Sequence, residues 1–314
     1  MSFLKTILIT PILSILAASD FLFNLIFKNE NIFLYYHNIT SSPSEFEIRH
    51  RLSQTKDQLE TQLRVLSKFF DWGDPSNPEN FNFNGKAKAF LSFDDGYKGT
   101  LTEGIEVLKK FNTPSLHFLN MSLILGNEPY WVQVAEEGQR LGKMSYSSPS
   151  EAIFSKSGKT WLQEFDADSE WVKACEDGPV FATLDDLKKA EEEPNVFFGN
   201  HLYNHFNAAS QDSDFLSYLY LENAQHLDRF KSALSYFSYP FGQPDLCYNN
   251  DTIRLIEKLG AKRQFTTTCV SNKKRDSYMI HRYMLTEDES SEFKIKYSLL
   301  EQKLRGFLFF SSKA

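Results

Sequence analysis

From Ile32 to about Leu285 strand-like and helix-like stretches take turns along the chain, and this order constrains the fold more than any other feature. Ile32 to His37 (IFLYYH) is a short aromatic and apolar run, which predicts a buried strand. SQTKDQLETQLRVLSKFF after it repeats Leu59, Leu63, Leu66 and Phe70 at helical spacing, which predicts a helix with one apolar face. Residues 71–85 (DWGDPSNPENFNFNG) are crowded with Pro, Gly, Asn and Asp and predict a loop. The order then repeats: strand KAFLSF, helix TLTEGIEVLKKF, strand SLHFLN, helix TLDDLKKAEEE, strand VFFGNH, a helix from about Phe215 to Ser235, strand YFSYP, helix DTIRLIEKLG, and strands near QFTTT and SYMIHRYML. Strands separated by single helices imply a parallel α/β sheet, open or closed into a barrel. Either way, working residues belong at the carboxyl ends of strands. His37, Asp94, Asp95, His201 and the stretch Pro240 to Gly242 all fall at such ends.

Two segments stand outside the alternation. From about 130 to 180 the chain carries Trp131, Trp161 and Trp171 among charged and Ser-rich stretches without a clean period, as an insertion would. Such an insertion either caps the site or packs on the outside. The first 28 residues carry an apolar run from Ile7 to Ala18 followed by FLFNLIF, with Asp20 and Asn24 in between. Those two residues make a spanning helix costly. Three readings follow: an apolar helix packed on the domain or on a membrane surface, a secretory signal, or a poor membrane anchor. The first and third leave the protein cytoplasmic or membrane-associated, the second makes it secreted or periplasmic. The expected organisation is therefore an N-terminal apolar helix over 1–28 and one domain over 29–314.

Charge and cysteines narrow the chemistry. Lys and Arg number 34 against 41 Asp and Glu, a formal charge of −7, which argues against nucleic acid or an anionic membrane as the main partner. Cys175, Cys247 and Cys269 are odd in number and widely spaced, so neither a disulfide framework nor a cysteine zinc site is indicated.

The chemistry sits in two short stretches. LSFDDGYKGT places Asp94 and Asp95 side by side between a strand and a glycine, and adjacent carboxylates need a counter-charge. GNHLYNHFN places His201 and His205 four residues apart, which on a helical turn would face both imidazoles toward one cation. Two histidines and one carboxylate make a facial triad with open positions. One aspartate can hold a divalent ion while its neighbour takes a proton from water. Zinc suits the set, as do cobalt, nickel and iron.

With these stretches in hand, the chain resembles the polysaccharide deacetylases of carbohydrate esterase family 4, the NodB-homology domain. LSFDDGY resembles the family's first motif, HLYNH its second, and FSYPFGQP its third. LYYHNIT, SQTKDQLETQL, FATLDDLKKA and the TTT of QFTTTC resemble a subgroup found with exopolysaccharide and capsule synthesis. The resemblance covers roughly Ile32 to Leu285. It implies a distorted (β/α)7-type barrel with an insertion around 130–180. It implies Asp94 as general base, Asp95, His201 and His205 as ligands of one divalent ion, and Tyr239, Pro240, Phe241 and Gly242 as the oxyanion and substrate loop, with a backbone N–H near Phe241 as donor. The implied reaction removes N-acetyl groups from amino sugars of a surface polysaccharide or its precursor. The partner would be an N-acetylated oligo- or polysaccharide, with peripheral membrane contact through residues 1–28. An O-deacetylase or deformylase on the same site, and an inactive carbohydrate-binding relative, are the alternatives.

The sequence also departs from the family. Leu202 stands where many members have Ser or Thr, which removes a hydrogen bond that steadies the second motif. Ser238 stands where many carry an arginine that tunes the base. The general acid is open between His281 in MIHRY and His37, with Arg282 the residue that matches the subgroup's late arginine. His117 is expected in the core or on the sheet's flank, His50 and His226 at the surface. The sequons at Asn38, Asn120 and Asn250 are short enough to arise by chance.

Overall fold

The computed structural model describes residues 3–28, 30–76, 86–126, 129–142, 158–159, 175, 178–270, 272 and 278–311. Eleven strands run through them: β1 Ile32–Tyr36, β2 Asn38–Ile39, β3 Ser53–Gln54, β4 Asp71–Trp72, β5 Lys88–Phe93, β6 Ser115–Leu119, β7 Val196–Asn200, β8 Ala233–Ser238, β9 Arg263–Thr266, β10 Met279–His281 and β11 Tyr283–Met284. The main sheet is ordered β10-β9-β8-β7-β6-β5-β1-β11, and every pairing in it is parallel. Its two ends are one piece of chain. β10 pairs with β9, then a single residue, Arg282, intervenes, and β11 pairs with β1. The sheet is therefore a nearly closed barrel of seven staves, counting β10 and β11 as one, with helices around it.

A period of two decides which residues fill the barrel. Phe33, Phe90, Leu116, Phe118, Tyr236, Phe265 and Ile280 form one buried cluster inside it. Alternate residues point outward and pack under helices in two further clusters. One gathers Leu34, Tyr36, Leu91 and Phe93 with Leu59, Leu63 and Leu66 of the helix Lys56–Phe69. The other gathers Phe198 and Phe237 with Leu187, Leu216 and Leu219 of the later helices. His117 is on the outward side, 1% exposed, with Nε2 3.0 Å from Ser115 Oγ and its ring stacked on Phe93. Burial pushes its imidazole down to about 3, so it packs as a neutral ring.

Local signals set the helix ends. Thr55 caps Lys56–Phe69 in a reciprocal capping box with Gln58, and Thr183 does the same with Asp186 for Leu184–Glu191. The helix after β5 opens with a π-turn, Thr100–Gly104, before Ile105–Lys110. Its entry presses on β2: a Cβ at Gly99 would meet the Ile39 carbonyl oxygen at 2.1 Å.

Several sequence expectations need correction. The segment read as loop from residue 71 begins with a strand, because Asp71 and Trp72 pair with Lys88 and Ala89 before β6 joins at Leu91; residues 77–85 lie outside the described residues. The helix expected to reach Ser235 is Ser213–Leu227, and Ala233–Ser238 is strand. In the insertion, Trp131–Arg140 is a helix, while Trp161 and Trp171 lie outside the described residues.

Residues 1–28 hold two helices, Phe3–Ala18 and Asp20–Phe27, bent by 102° across Ser19, which caps the second. Among the described residues no single helix is long and apolar enough to cross a membrane, though the bent pair passes together. Leu13, Ala17, Phe23 and Phe27 are buried with Ile295 and Leu299 of the C-terminal helix Glu292–Ser311. Lys296 of that helix pairs with Asp20 at 2.6 Å. Ile12, Ile15, Phe21 and Leu25 remain exposed.

Candidate active site

The site lies at the carboxyl ends of the staves, in a cavity of about 250 Å³ lined by Tyr35, His37, Asp94, Asp95, Tyr130, His201, His205 and Phe241 among others. Asp95, Leu202, His205 and Phe241 all hold φ between 58° and 73°, in the left-handed region that non-glycine residues enter at a cost. Gly96 follows Asp95 at φ 80° and completes the turn that folds the pair back over the barrel mouth. Strain of this kind collects where side chains must be aimed against the run of the backbone.

Asp95 Oδ1 is 3.2 Å from His201 Nε2 and 3.1 Å from His205 Nε2. The ligand-type atoms of the three residues lie within 4.8 Å of one another, and all three are buried. His201 Nδ1 is 2.8 Å from the Ser238 carbonyl oxygen. A carbonyl can only accept, so Nδ1 carries the proton and, in the neutral ring, Nε2 turns a bare lone pair toward Asp95. Asp95 Oδ1 finds no hydrogen-bond donor among the described residues. Burial pushes the Asp95 carboxyl up, yet the imidazoles of His205 and His201 more than offset this and hold it well below the ordinary range. Burial also pushes the His205 imidazole down, against the pull of Asp95. A buried carboxylate flanked by two imidazole Nε2 atoms is a donor set that fits a divalent cation. The spacing of four works here without a helix: residues 201–207 are irregular, and the left-handed turns at Leu202 and His205 converge the rings.

Asp94 has a different setting. Arg282 grips it in a fork, Nη1 to Oδ1 and Nη2 to Oδ2 both at 2.7 Å. The guanidinium is fully buried. It also donates from Nη1 to Ser92 Oγ at 3.1 Å, from Nη2 to Ser238 Oγ at 2.8 Å and from Nε to the Thr266 carbonyl at 3.2 Å. Its carbon lies 4.7 Å from the centre of the Tyr35 ring. Burial raises the Asp94 carboxyl, but the charge of Arg282, followed by His201, brings it net below the ordinary value. Ser238, at the position compared above with the family's arginine, accepts from an arginine that arrives from another stave.

The remaining predicted residues divide. His37 lines the cavity with both aspartates. His281 does not line it: Nδ1 is 3.0 Å from Thr266 Oγ1, Asn272 brackets its backbone at 2.9 and 2.7 Å, and burial pushes it down to about 4. Phe241 packs on His205 with ring centres 4.8 Å apart. Tyr239 is buried and its hydroxyl donates to Gln264, away from the cavity. Pro240 is buried between them, and the Gly242 N–H donates to its carbonyl at 2.8 Å.

Two contributors were not found from sequence. His50, read as a surface residue, is exposed but lies on the cavity rim, 2.5 Å from Glu136 of the insertion helix. Tyr130, at the start of that helix, stands 5.6 Å ring to ring from His205, while Trp131 donates to the His205 carbonyl at 3.1 Å. The part of the insertion over 130–140 thus walls the cavity.

No protein-family model matches the sequence, and no curated protein matches it. Solved structures do match in fold. They include the Streptococcus pyogenes deacetylase PplD in complex with acetate, at 16% identity and TM-score 0.59 over 86% of this chain and 98% of that one. A de-N-acetylase from Aggregatibacter actinomycetemcomitans matches at 16% and 0.57 over 85% and 98%. IcaB from Ammonifex degensii matches at 16% and 0.56 over 86% and 97%. The chain therefore shares the fold of polysaccharide deacetylases.

Proposed function

We propose that this chain is a metal-dependent deacetylase of the NodB-homology family that removes acetyl groups from N-acetylated sugars of a polysaccharide or its precursor. The observation that carries the reading is the pairing of a buried Asp95, His201, His205 set with a second aspartate whose charge is already neutralised by Arg282. Asp95 Oδ1 and the two Nε2 atoms would hold one divalent ion, zinc first among the candidates. When bound, such an ion supplies Lewis-acid polarisation and a lowered pKa for water.

The chain's own residues do the rest. Asp94, kept ionised by Arg282, accepts the proton of the attacking water. The Tyr239–Gly242 turn, with Phe241 over His205, offers a backbone N–H to the oxygen that gains charge. His37, at the end of β1 and on the cavity wall, gives a proton to the departing amine. His281 faces away from this path. The exposed apolar side chains of residues 12–25 favour peripheral contact with a membrane, testable by sedimentation with lipid vesicles.

The direct test is acetate release from N-acetylglucosamine oligomers by protein loaded with zinc or cobalt. Release from acetamides supports the proposal. Release only from acetate esters would favour an O-deacetylase, and no release with metal bound would favour a carbohydrate-binding role.

A further inference from the structure

The two-histidine loop lacks the helix that would normally fix a spacing of four, and Leu202 lacks the hydroxyl that could tie it down. Its backbone is instead held from below by a buried set of amides and one hydroxyl. Asn120, which follows β6, donates through Nδ2 to the carbonyls of His201 at 2.5 Å and Leu202 at 2.8 Å. Ser122 donates through Oγ to the carbonyl of Tyr203 at 2.6 Å. Asn200, at the end of β7, accepts the Leu202 N–H at 2.9 Å and donates to the Tyr220 carbonyl at 2.9 Å. Asn223, inside the helix Ser213–Leu227, donates to that same Asn200 oxygen at 2.9 Å and to the Leu119 carbonyl at 2.8 Å, and accepts the Met121 N–H at 2.8 Å.

Three consecutive carbonyls of the loop are therefore clamped. The partners also fix the orientation of each amide, because carbonyls must face NH2 groups and N–H groups must face oxygens. Asn120 uses only its donors, since its Oδ1 has no partner among the described residues. All four residues are buried, Asn120, Ser122 and Asn223 at 0% exposure. Polar groups buried to this depth cost free energy unless their bonds are made, and a satisfied network rigidifies what it touches.

We infer that Asn120, Ser122, Asn200 and Asn223 are positioning residues for the cation site, holding Leu202 in its left-handed turn so that His201 and His205 meet at Asp95. This rests on the metal reading above. It assigns the steadying of the second motif to side chains from the turn after β6, from β7 and from the helix Ser213–Leu227, none of which is among the three residues that would hold the cation.

The test is cobalt(II) and zinc titration of chelator-stripped full-length protein, with the melting temperature of the metal-free form and the visible absorption of the cobalt form recorded alongside. Asn120→Asp keeps the shape, removes the NH2 donor and sets an oxygen against two carbonyls. The expected result is metal affinity weakened roughly 10- to 100-fold with a shifted cobalt spectrum. Ser122→Ala, a milder change that removes one of the two donors to the Tyr203 carbonyl, should weaken binding less and in the same direction. It also decides the matter should Asn120→Asp not fold. Variants that melt lower but keep wild-type affinity and spectrum would overturn the inference, leaving the network a merely structural role. Wild-type protein that takes up neither metal would overturn the metal reading itself, and the inference with it.

Discussion

Asp94 and Asp95 are neighbours in sequence, both buried, yet the fold gives them opposite settings. Asp94 meets its counter-charge inside the protein, in a two-pronged grip from Arg282. Asp95 meets two imidazoles, one of which already spends its ring proton on a carbonyl. The first carboxylate is neutralised by Arg282; the second sits with two imidazoles in a set that could hold a metal ion. In the proposed reading, adjacent aspartates can share a turn because two different cations settle them: the Arg282 guanidinium at the barrel seam and a divalent ion that Asp95, His201 and His205 would hold. Arg282 is the single residue between β10 and β11, so the seam that closes the barrel brings the counter-charge to Asp94, the proposed base.

The largest effects should come from breaking the proposed proton path while leaving the Asp95, His201 and His205 set alone. Asp94→Asn is expected to lower turnover on N-acetylated oligomers by about 10²–10⁴-fold with metal content unchanged. His37→Gln should lower it by a similar order, and His281→Gln should leave it near wild type. Parallel steady-state kinetics on the three variants would check this, and the reverse order for the two histidines would move the general acid to β10.

Removing the internal counter-charge comes next. Arg282→Met leaves the Asp94 carboxylate buried and unpaired, which should cost about 3–5 kcal/mol in urea unfolding. It should also raise the Asp94 pKa, moving the acid limb of the pH–rate profile to higher pH. Stability retained with an unmoved limb would show that Arg282 does not set the ionisation of Asp94.

A smaller effect separates the site from its surroundings. His117 stays neutral in the folded protein to about pH 3 but protonates in the unfolded chain near its ordinary 6.5. The unfolded state thus binds the extra proton between those values, so stability falls as pH drops through that window. For metal-free protein between pH 6 and pH 4, His117→Phe should flatten the pH dependence of unfolding free energy by about 1.4 kcal/mol per pH unit at most. An unchanged slope would mean that His117 is already protonated in the fold.

The sequence made much of this legible. Alternating strands and helices announced a parallel barrel, because each stave is a short apolar run between amphipathic helices. The ends of those runs located His37, both aspartates and His201. What escaped was direction. A count of two from Ile280, an interior residue, turns Arg282 inward and His281 outward, and that count was open to be made in MIHRY. The left-handed turns at Leu202 and His205 carried too weak a signal, since leucine rarely takes a positive φ and histidine, though enriched there, does so in only a small share of its occurrences, so a helical turn was the natural misreading. The amides below the loop were beyond reach for another reason. Asn120, Asn200 and Asn223 are brought together from segments about 80 and 23 residues apart, which only the closed barrel does.

The most direct test of the account is a count of bound divalent ions after zinc loading, by elemental mass spectrometry, in wild type, Asp94→Asn and Asp95→Asn. One ion per chain in the first two and none in the third is the predicted result. An equal count in Asp95→Asn, or an empty wild type, would contradict the division of labour between the two aspartates.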